Sequence, residues 1–286
     1  MTAAYALDIG GTHVSAGRVD LGSRSVEERV RVPLPAQADR EVLLSRIGDA
    51  LRDVVDGPVT RIGVAVPGPF DYDGGVSLLR HKLLPLYGVD LRNRLQSLLP
   101  APSPTITFVN DADAFLHGEW WAGAAAGHRR VIGVTLGTGL GSAFLADGRI
   151  VDAGLTVPPE GSLHLVRHRG APAEETISRE ALVAGYGNRR LDVIELATTA
   201  RRGDERARRL FSDLGGDLGE VLAPWIGSFR ATCLVVGGSI AGAWDLLGPS
   251  LRAGLRDATP LESMHPAALL DEAALLGAAR VAANAV

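Results

Sequence analysis

The chain has 286 residues, 46% hydrophobic and 22% charged, with a formal net charge of −4 at pH 7. That length suits two lobes better than one compact body. Both signs of charge are scattered, and no basic block exists to track a nucleic-acid backbone, which excludes nucleic acid as a partner. No stretch reaches the roughly 20 apolar residues that span a bilayer, so no membrane partner is expected either.

The cations are lopsided: Lys82 is the only lysine, and every other cationic side chain apart from histidine is an arginine. Cys233, in the apolar run Cys-Leu-Val-Val, is the single cysteine. It can form neither an internal disulfide nor a multi-cysteine metal site, and reads as a buried strand residue. The first residues lack a basic n-region, and Asp8 and Gly10 cut their apolar run short, which argues against a signal peptide. A soluble, cytoplasmic protein is expected.

Residues 4–9 read as a strand stopped by Gly10-Gly11, with short strands at 14–20 and 28–34 completing a β-meander. Apolar residues at helical spacing predict a helix over 40–55. The buried-type strand 61–66 runs into Pro67-Gly68-Pro69. A helix is predicted over Val89–Leu99, a strand from Thr105 to Val109 ending at Asn110-Asp111, and a helix from Ala112 to Ala126. The pattern then restarts with strand 131–136, broken at Gly137-Thr138-Gly139, and with strands at 142–145 and 149–151. Helices are predicted near 178–187, 189–200 and 204–229, then a strand from Cys233 to Val236 ending in Gly237-Gly238. Helices are expected over most of the remainder. The repeat of strand, glycine turn and strand is too long in period for a solenoid and suits two related α/β lobes facing each other across a cleft.

Three strand ends release into glycine: Gly10-Gly11-Thr12, Gly137-Thr138-Gly139 and Gly237-Gly238-Ser239. Glycine lets a phosphate approach the backbone, where successive N–H groups hold its oxygens. One such turn is ordinary punctuation; three at comparable strand ends form a set. Ser239 is a candidate cap for the helix after it. No Gly-x-x-x-x-Gly-Lys-Ser/Thr motif is present, so a P-loop is excluded. Asp111, after a strand and before a helix, reads in isolation as an N-cap.

Asp8-Ile-Gly-Gly-Thr, Asn110-Asp-Ala-Asp, Gly118-Glu-Trp-Trp-Ala-Gly, Leu136-Gly-Thr-Gly-Leu-Gly-Ser and Val236-Gly-Gly-Ser, in that order, resemble the motifs of the ROK family over essentially the whole chain. That family holds glucokinases, other hexose and N-acetylhexosamine kinases, and repressors. The resemblance implies an α/β, two-lobed actin-like ATPase (ribonuclease H-like) fold, with residues 1–111 plus 269–286 in one lobe and 112–268 in the other. It implies an ATP-dependent transfer of the γ-phosphoryl group to a hydroxyl, the 6-hydroxyl, of a hexose or N-acetylhexosamine. Asp111 would be the catalytic base, as phosphoryl transfer to an alcohol requires. Asn110, Gly68, Glu160, His164 and Glu174 would contact sugar, with Glu175 a near-equal alternative to Glu174. Asp8, Gly10, Gly11, Thr12, Gly137, Thr138 and Gly139 would grip the nucleotide phosphates, and Gly237, Gly238 and Ser239 would face the adenosine. Asp8 would hold Mg²⁺ through water, and a homodimer would be usual.

Three departures stand out. Glu160-Gly-Ser-Leu-His164 is one residue longer than the family's Glu-x-Gly-His. Arg167–Glu174 lacks the cysteines of the family's zinc segment, so no zinc of that type is expected. Asp113 stands where asparagine is common. Polyphosphate as donor, a non-catalytic sugar sensor, and an actin-like ATPase of chaperone or filament type are the alternative readings. Family repressors carry an N-terminal helix-turn-helix, for which residues before Asp8 leave no room. Without a P-loop lysine, charge neutralisation would fall to the metal, backbone amides and arginines. Adjacent tryptophans on a helix point different ways, so Trp120 and Trp121 read as packing residues before sugar platforms.

Overall fold

A computed structural model describes residues 3–35, 37–57, 59–80, 82–99, 103–188 and 191–285. In chain order the first elements are strands β1 (Ala3–Ile9), β2 (His13–Asp20) and β3 (Ser25–Pro33), helix α1 (Arg40–Val54) and strand β4 (Arg61–Val66). A small hairpin, β5 (Phe70–Asp71) and β6 (Val76–Ser77), precedes α2 (Leu91–Gln96), β7 (Thr105–Asn110) and α3 (Asp111–Ala122). The pattern resumes with β8 (Arg130–Leu136), β9 (Leu140–Ala146) and β10 (Arg149–Ile150). A second small hairpin, β11 (Arg167–His168) and β12 (Ala171–Pro172), leads to α4 (Arg179–Tyr186), α5 (Val193–Arg201) and α6 (Glu205–Phe229). Strand β13 (Cys233–Gly237), α7 (Trp244–Gly254), β14 (Ser263–Pro266) and α8 (Ala273–Asn284) follow.

These elements form two compact units, residues 1–123 with 271–286, and residues 124–270. The division falls after Gly123, where the expected boundary stood at Asp111. Helix α3 counts with the first unit because it packs on α8. That packing is backbone against backbone. A Cβ on Gly277 would collide with the carbonyl of Ala114, and one on Gly118 with the carbonyl of Ala273. Gly118 of the Gly-Glu-Trp-Trp motif is therefore a helix-contact residue.

The two sheets share one plan. The first has the order β3-β2-β1-β4-β7 and the second β10-β9-β8-β13-β14. In each, three strands run as an antiparallel meander and the innermost strand of that meander begins a parallel series. This is the actin-like ATPase fold expected from the motifs. Parallel strands buried on both faces demand continuous apolar runs, and β4 and β13 supply them: Ile62 to Val66, and all of Cys233–Gly237, are buried. The first core gathers Leu7, Ile9, Val64, Ile47 and Leu51. The second gathers Ile132, Val134, Phe144, Phe211 and Val236, with Phe144 and Phe229 edge to face at 5.3 Å.

Several elements differ from expectation. Helix α3 stops at Ala122, because Gly123 leaves helical φ/ψ. Strand β14 lies where helices were expected; it has four residues and one buried side chain, Met264, too little for a period-2 signal. Helix α5 begins at Val193 under a capping box of Asp192 and Glu195. Residues 189 and 190 of the predicted 189–200 helix lie outside the described residues.

Candidate active site

In the first unit, β1, β4 and β7 run parallel, with Asp8 opposite Ala65 and Val66 opposite Asn110. Their C-terminal ends therefore deliver Asp8, Gly68 and Asn110-Asp111 to one edge of the sheet, the edge where open α/β sheets bind ligands. The glycine loop after β1 closes with the Gly10 N–H donating to the His13 carbonyl at 2.9 Å, and leaves Thr12 exposed.

The expected N-cap role of Asp111 is corrected by one residue. Asn110 has the extended φ/ψ of an N-cap, and its Oδ1 accepts from the Ala112 N–H at 2.9 Å and the Asp113 N–H at 3.4 Å. Asp111 is the first helical residue. Its carboxylate accepts from the Ala112 N–H at 2.9 Å and keeps acceptor capacity for a ligand. Asn110 is more committed: its Nδ2 also donates to the Tyr72 hydroxyl at 3.0 Å, which in turn donates to the Val66 carbonyl at 3.2 Å. A Cβ on Gly68 would lie 3.6 Å from that hydroxyl and 4.0 Å from Asn110 Nδ2. Gly68, Asn110 and Tyr72 thus form one polar corner.

The charges of this edge are crowded. Burial, then Asp111 and Asp271, push the Asp8 carboxyl up to about 7, against the pull of Arg31 and Lys82. Burial raises Asp111 too, opposed first by Lys82 and then by the backbone N–H groups. Asp271 pairs with Arg31 at 3.0 Å, and Arg31 stands 3.4 Å from His13 Nδ1. Asp8, Asp111 and Asp271 thus crowd one edge with only Arg31 and Lys82 to offset them, although their oxygens do not gather at metal-ligand distance from one another.

In the second unit, β8, β9 and β13 position the other two glycine turns. The Gly137 N–H donates to the Gly139 carbonyl at 3.0 Å, and the Gly137 carbonyl accepts from the Arg179 N–H at 2.9 Å. A Cβ on Gly137 would lie 3.9 Å from Ser239 Oγ, so these two turns are neighbours. Gly238 has φ +84°, and a Cβ there would strike the Leu136 backbone, which makes glycine obligatory. Ser239 does not cap: Gly238 holds the cap position of the 3₁₀ turn Ser239–Ala243, which has no side-chain cap.

Glu174 accepts from the Leu140 N–H at 2.9 Å and lies against Gly139. Its neighbour Glu175 is exposed, which decides between the two candidates in favour of Glu174 as the residue built into this turn. The lengthened segment folds as two successive 3₁₀ turns, Pro159–Gly161 and Leu163–Leu165. Ser142 fastens it, donating to the Gly161 carbonyl at 2.6 Å and accepting from the Leu163 N–H at 2.9 Å. Within it Glu160 is exposed and left-handed (φ 56°), a conformation uncommon outside glycine, and His164 is half-buried.

The hairpin β11–β12 lies within Arg167–Glu174, the stretch without the zinc-segment cysteines. It is tied to α6 by His168 Nε2 to Glu220 at 2.9 Å and by Arg169 to Asp217 at 2.6 Å. Among the described residues, His168, Asp217 and Glu220 are one group with metal-ligand spacing, and Arg169 already neutralises its carboxylates. The tryptophans pack as expected: the Arg280 guanidinium lies 4.6 Å from the Trp120 ring centroid, and Arg24 lies 5.8 Å from that of Trp121. Sequence reasoning missed Tyr72, Lys82 and Asp271, none of which belongs to a glycine turn. It also missed the Arg31–His13 contact.

The model of the ROK family matches residues 4–285. The chain belongs to the ROK family. It is similar to the glucokinase of Thermotoga maritima, with 26% identity over 306 aligned positions that cover 96% of this chain and 95% of that one. It is also similar to the N-acetylmannosamine kinase of Citrobacter koseri, at 28% identity over 82% of each chain. Among solved ROK structures, the Streptomyces griseus glucokinase in complex with glucose and AMPPNP superposes with a TM-score of 0.80, at 25% identity over 99% of this chain and 100% of that one. Among the described residues, no helix is long and apolar enough to cross a membrane.

Proposed function

We propose that this ROK protein is a sugar kinase that moves the γ-phosphoryl group of ATP to the 6-hydroxyl of a hexose or N-acetylhexosamine. One observation carries the reading: Asn110 caps α3, so the Asp111 carboxylate at the end of β7 is left to accept a proton. In that role Asp111 takes the hydroxyl proton and aims the oxygen at phosphorus, a general-base effect of about 10²–10⁴ in rate. Gly68, Asn110, Glu160, His164 and Glu174 are the sugar side of the site. The turns at Gly10-Gly11-Thr12 and Gly137-Thr138-Gly139 offer backbone N–H groups to phosphates, and Gly237-Gly238-Ser239 faces the nucleoside. Asp8 would hold Mg²⁺, which would offset the carboxylate crowding and neutralise phosphate charge.

A cytoplasmic setting fits a reaction that draws on ATP and a chain whose single thiol is free and buried. A homodimer is the assembly proposed. The test is sugar-dependent ADP release across glucose, mannose, allose, N-acetylglucosamine and N-acetylmannosamine, with ATP and with polyphosphate as donor. Turnover with one of these sugars and ATP is expected. Thermal stabilisation by sugar with no turnover from either donor would overturn the kinase reading in favour of a sensor.

A further inference from the structure

Lys82 is the one lysine in a chain that otherwise uses arginine throughout. It lies in the connection between β6 and the 3₁₀ turn Leu84–Leu86. The next residue, Leu83, is buried in the first core and is left-handed (φ 50°, ψ 35°), which fixes the backbone beside the lysine. From there the half-buried side chain runs over the first glycine loop: its Cδ lies 3.3 Å, and its Cβ 3.8 Å, from where a Cβ on Gly11 would stand. Among the described residues it makes no ion pair, yet its charge bears on both Asp8 and Asp111. Among the described residues it is thus a cation without an ion-pair partner, laid across a phosphate-type loop and in electrostatic reach of the proposed base. Lysine offers a compact ammonium on a flexible stem, where arginine would bring a wider planar fork.

We infer that Lys82 is a catalytic residue of the phosphoryl transfer, its ammonium group holding the donor's terminal phosphoryl group between the Gly10-Gly11 loop and Asp111. The inference rests on the kinase reading above. In the step it serves, the bond from the γ-phosphorus to the bridging oxygen breaks, and its electron pair leaves with the diphosphate. A new bond forms from the sugar oxygen to the γ-phosphorus, and the hydroxyl proton passes to Asp111. Lys82 keeps its protons throughout and offsets charge on the phosphoryl oxygens. It takes the neutralising part that the missing P-loop lysine left to metal, amides and arginines.

The experiment compares the unmodified protein with Lys82→Met and Lys82→Arg. Lys82→Met is expected to lower kcat about 10²–10³-fold, the usual cost of removing one donor from a developing anion. The sugar KM should stay within about threefold, and AMPPNP affinity should fall at least about tenfold while ADP affinity is kept. Lys82→Arg, which keeps charge but not shape, should fall between the two in kcat. A higher sugar KM at unchanged kcat, or equal loss of ADP and AMPPNP binding, would overturn the inference. A second measurement needs no variant: Lys82 carries the only side-chain amine, so reductive methylation read by mass spectrometry reports on it alone, apart from the α-amino group. AMPPNP should protect it and ADP should not; equal labelling with both would also overturn the inference. If the unmodified protein releases no ADP with any sugar, the kinase reading fails and takes this inference with it. An active protein with an equally active Lys82→Met sinks the inference alone.

Discussion

The two units repeat one sheet plan and furnish it differently. At the sheet edge of the first stand Asp8, Asp111, Asp271, Arg31 and Lys82, a set of charges that perturb one another. In the second the corresponding turns are mostly backbone. The Gly137 N–H closes on the Gly139 carbonyl, and Glu174 spends an oxygen on the Leu140 N–H. The lesson is a difference within a shared sheet plan: the first unit sets interacting charges at its sheet edge, and the second sets glycine turns there.

The sharpest way to break that comparison is Asp111→Asn. We expect turnover to fall about 10²–10⁴-fold while calorimetry shows nucleotide and sugar binding largely kept. Near-normal turnover would move the base out of the first unit. The pH profile comes next. Because burial raises Asp111, the acidic limb of kcat/KM should lie above the ordinary carboxylate range, with activity falling roughly tenfold per pH unit below it.

Asp8 carries a pH effect of its own, in stability. Its native carboxyl holds a proton up to about 7, whereas an unfolded chain releases it near 3.8. The native state binds more protons between those values, so the ligand-free protein should lose stability as pH rises through them. Melting curves from pH 4 to 8 test this, and Mg²⁺ with nucleotide should flatten the trend. An unchanged slope with ligand would argue against Asp8 as the metal carboxylate.

A smaller effect belongs to packing. Gly277→Ala pushes a methyl into the Ala114 carbonyl and should cost about 1–3 kcal/mol, seen as a lower Tm; no change in Tm would mean that α3 and α8 separate cheaply. The smallest is Trp121→Ala, expected to leave the sugar KM within about twofold because the ring is engaged by Arg24 and Arg280. A large rise in KM would return that ring to the sugar site.

Much of this was legible in the sequence, and for a local reason. A strand that ends in glycine marks its end in adjacent letters, so the positions of the three turns and of Asn110-Asp111 could be read directly. Asparagine and aspartate are equally good caps, and only the backbone angles showed which of the two is spent. Lys82 and Tyr72 come from the connections around the β5–β6 hairpin, whose two-residue strands leave no periodic trace. Asp271 reaches Arg31 across 240 positions, a distance over which no local pattern speaks. The lengthened Glu160–His164 segment was visible as an insertion, but its solution through Ser142 depended on a hydroxyl in another strand.

The division of the chain also orders its synthesis. All of the second unit, residues 124–270, is contiguous, whereas the first closes only with residues 271–286. Domains tend to fold as units while the ribosome is still working, so the inserted half has its whole complement of residues before the half that surrounds it. Until α8 is made, the nascent first sheet lacks both its covering helix and the Asp271 carboxylate that bears on Asp8. The half that holds Asp8 and Asp111 is thus the last to be finished.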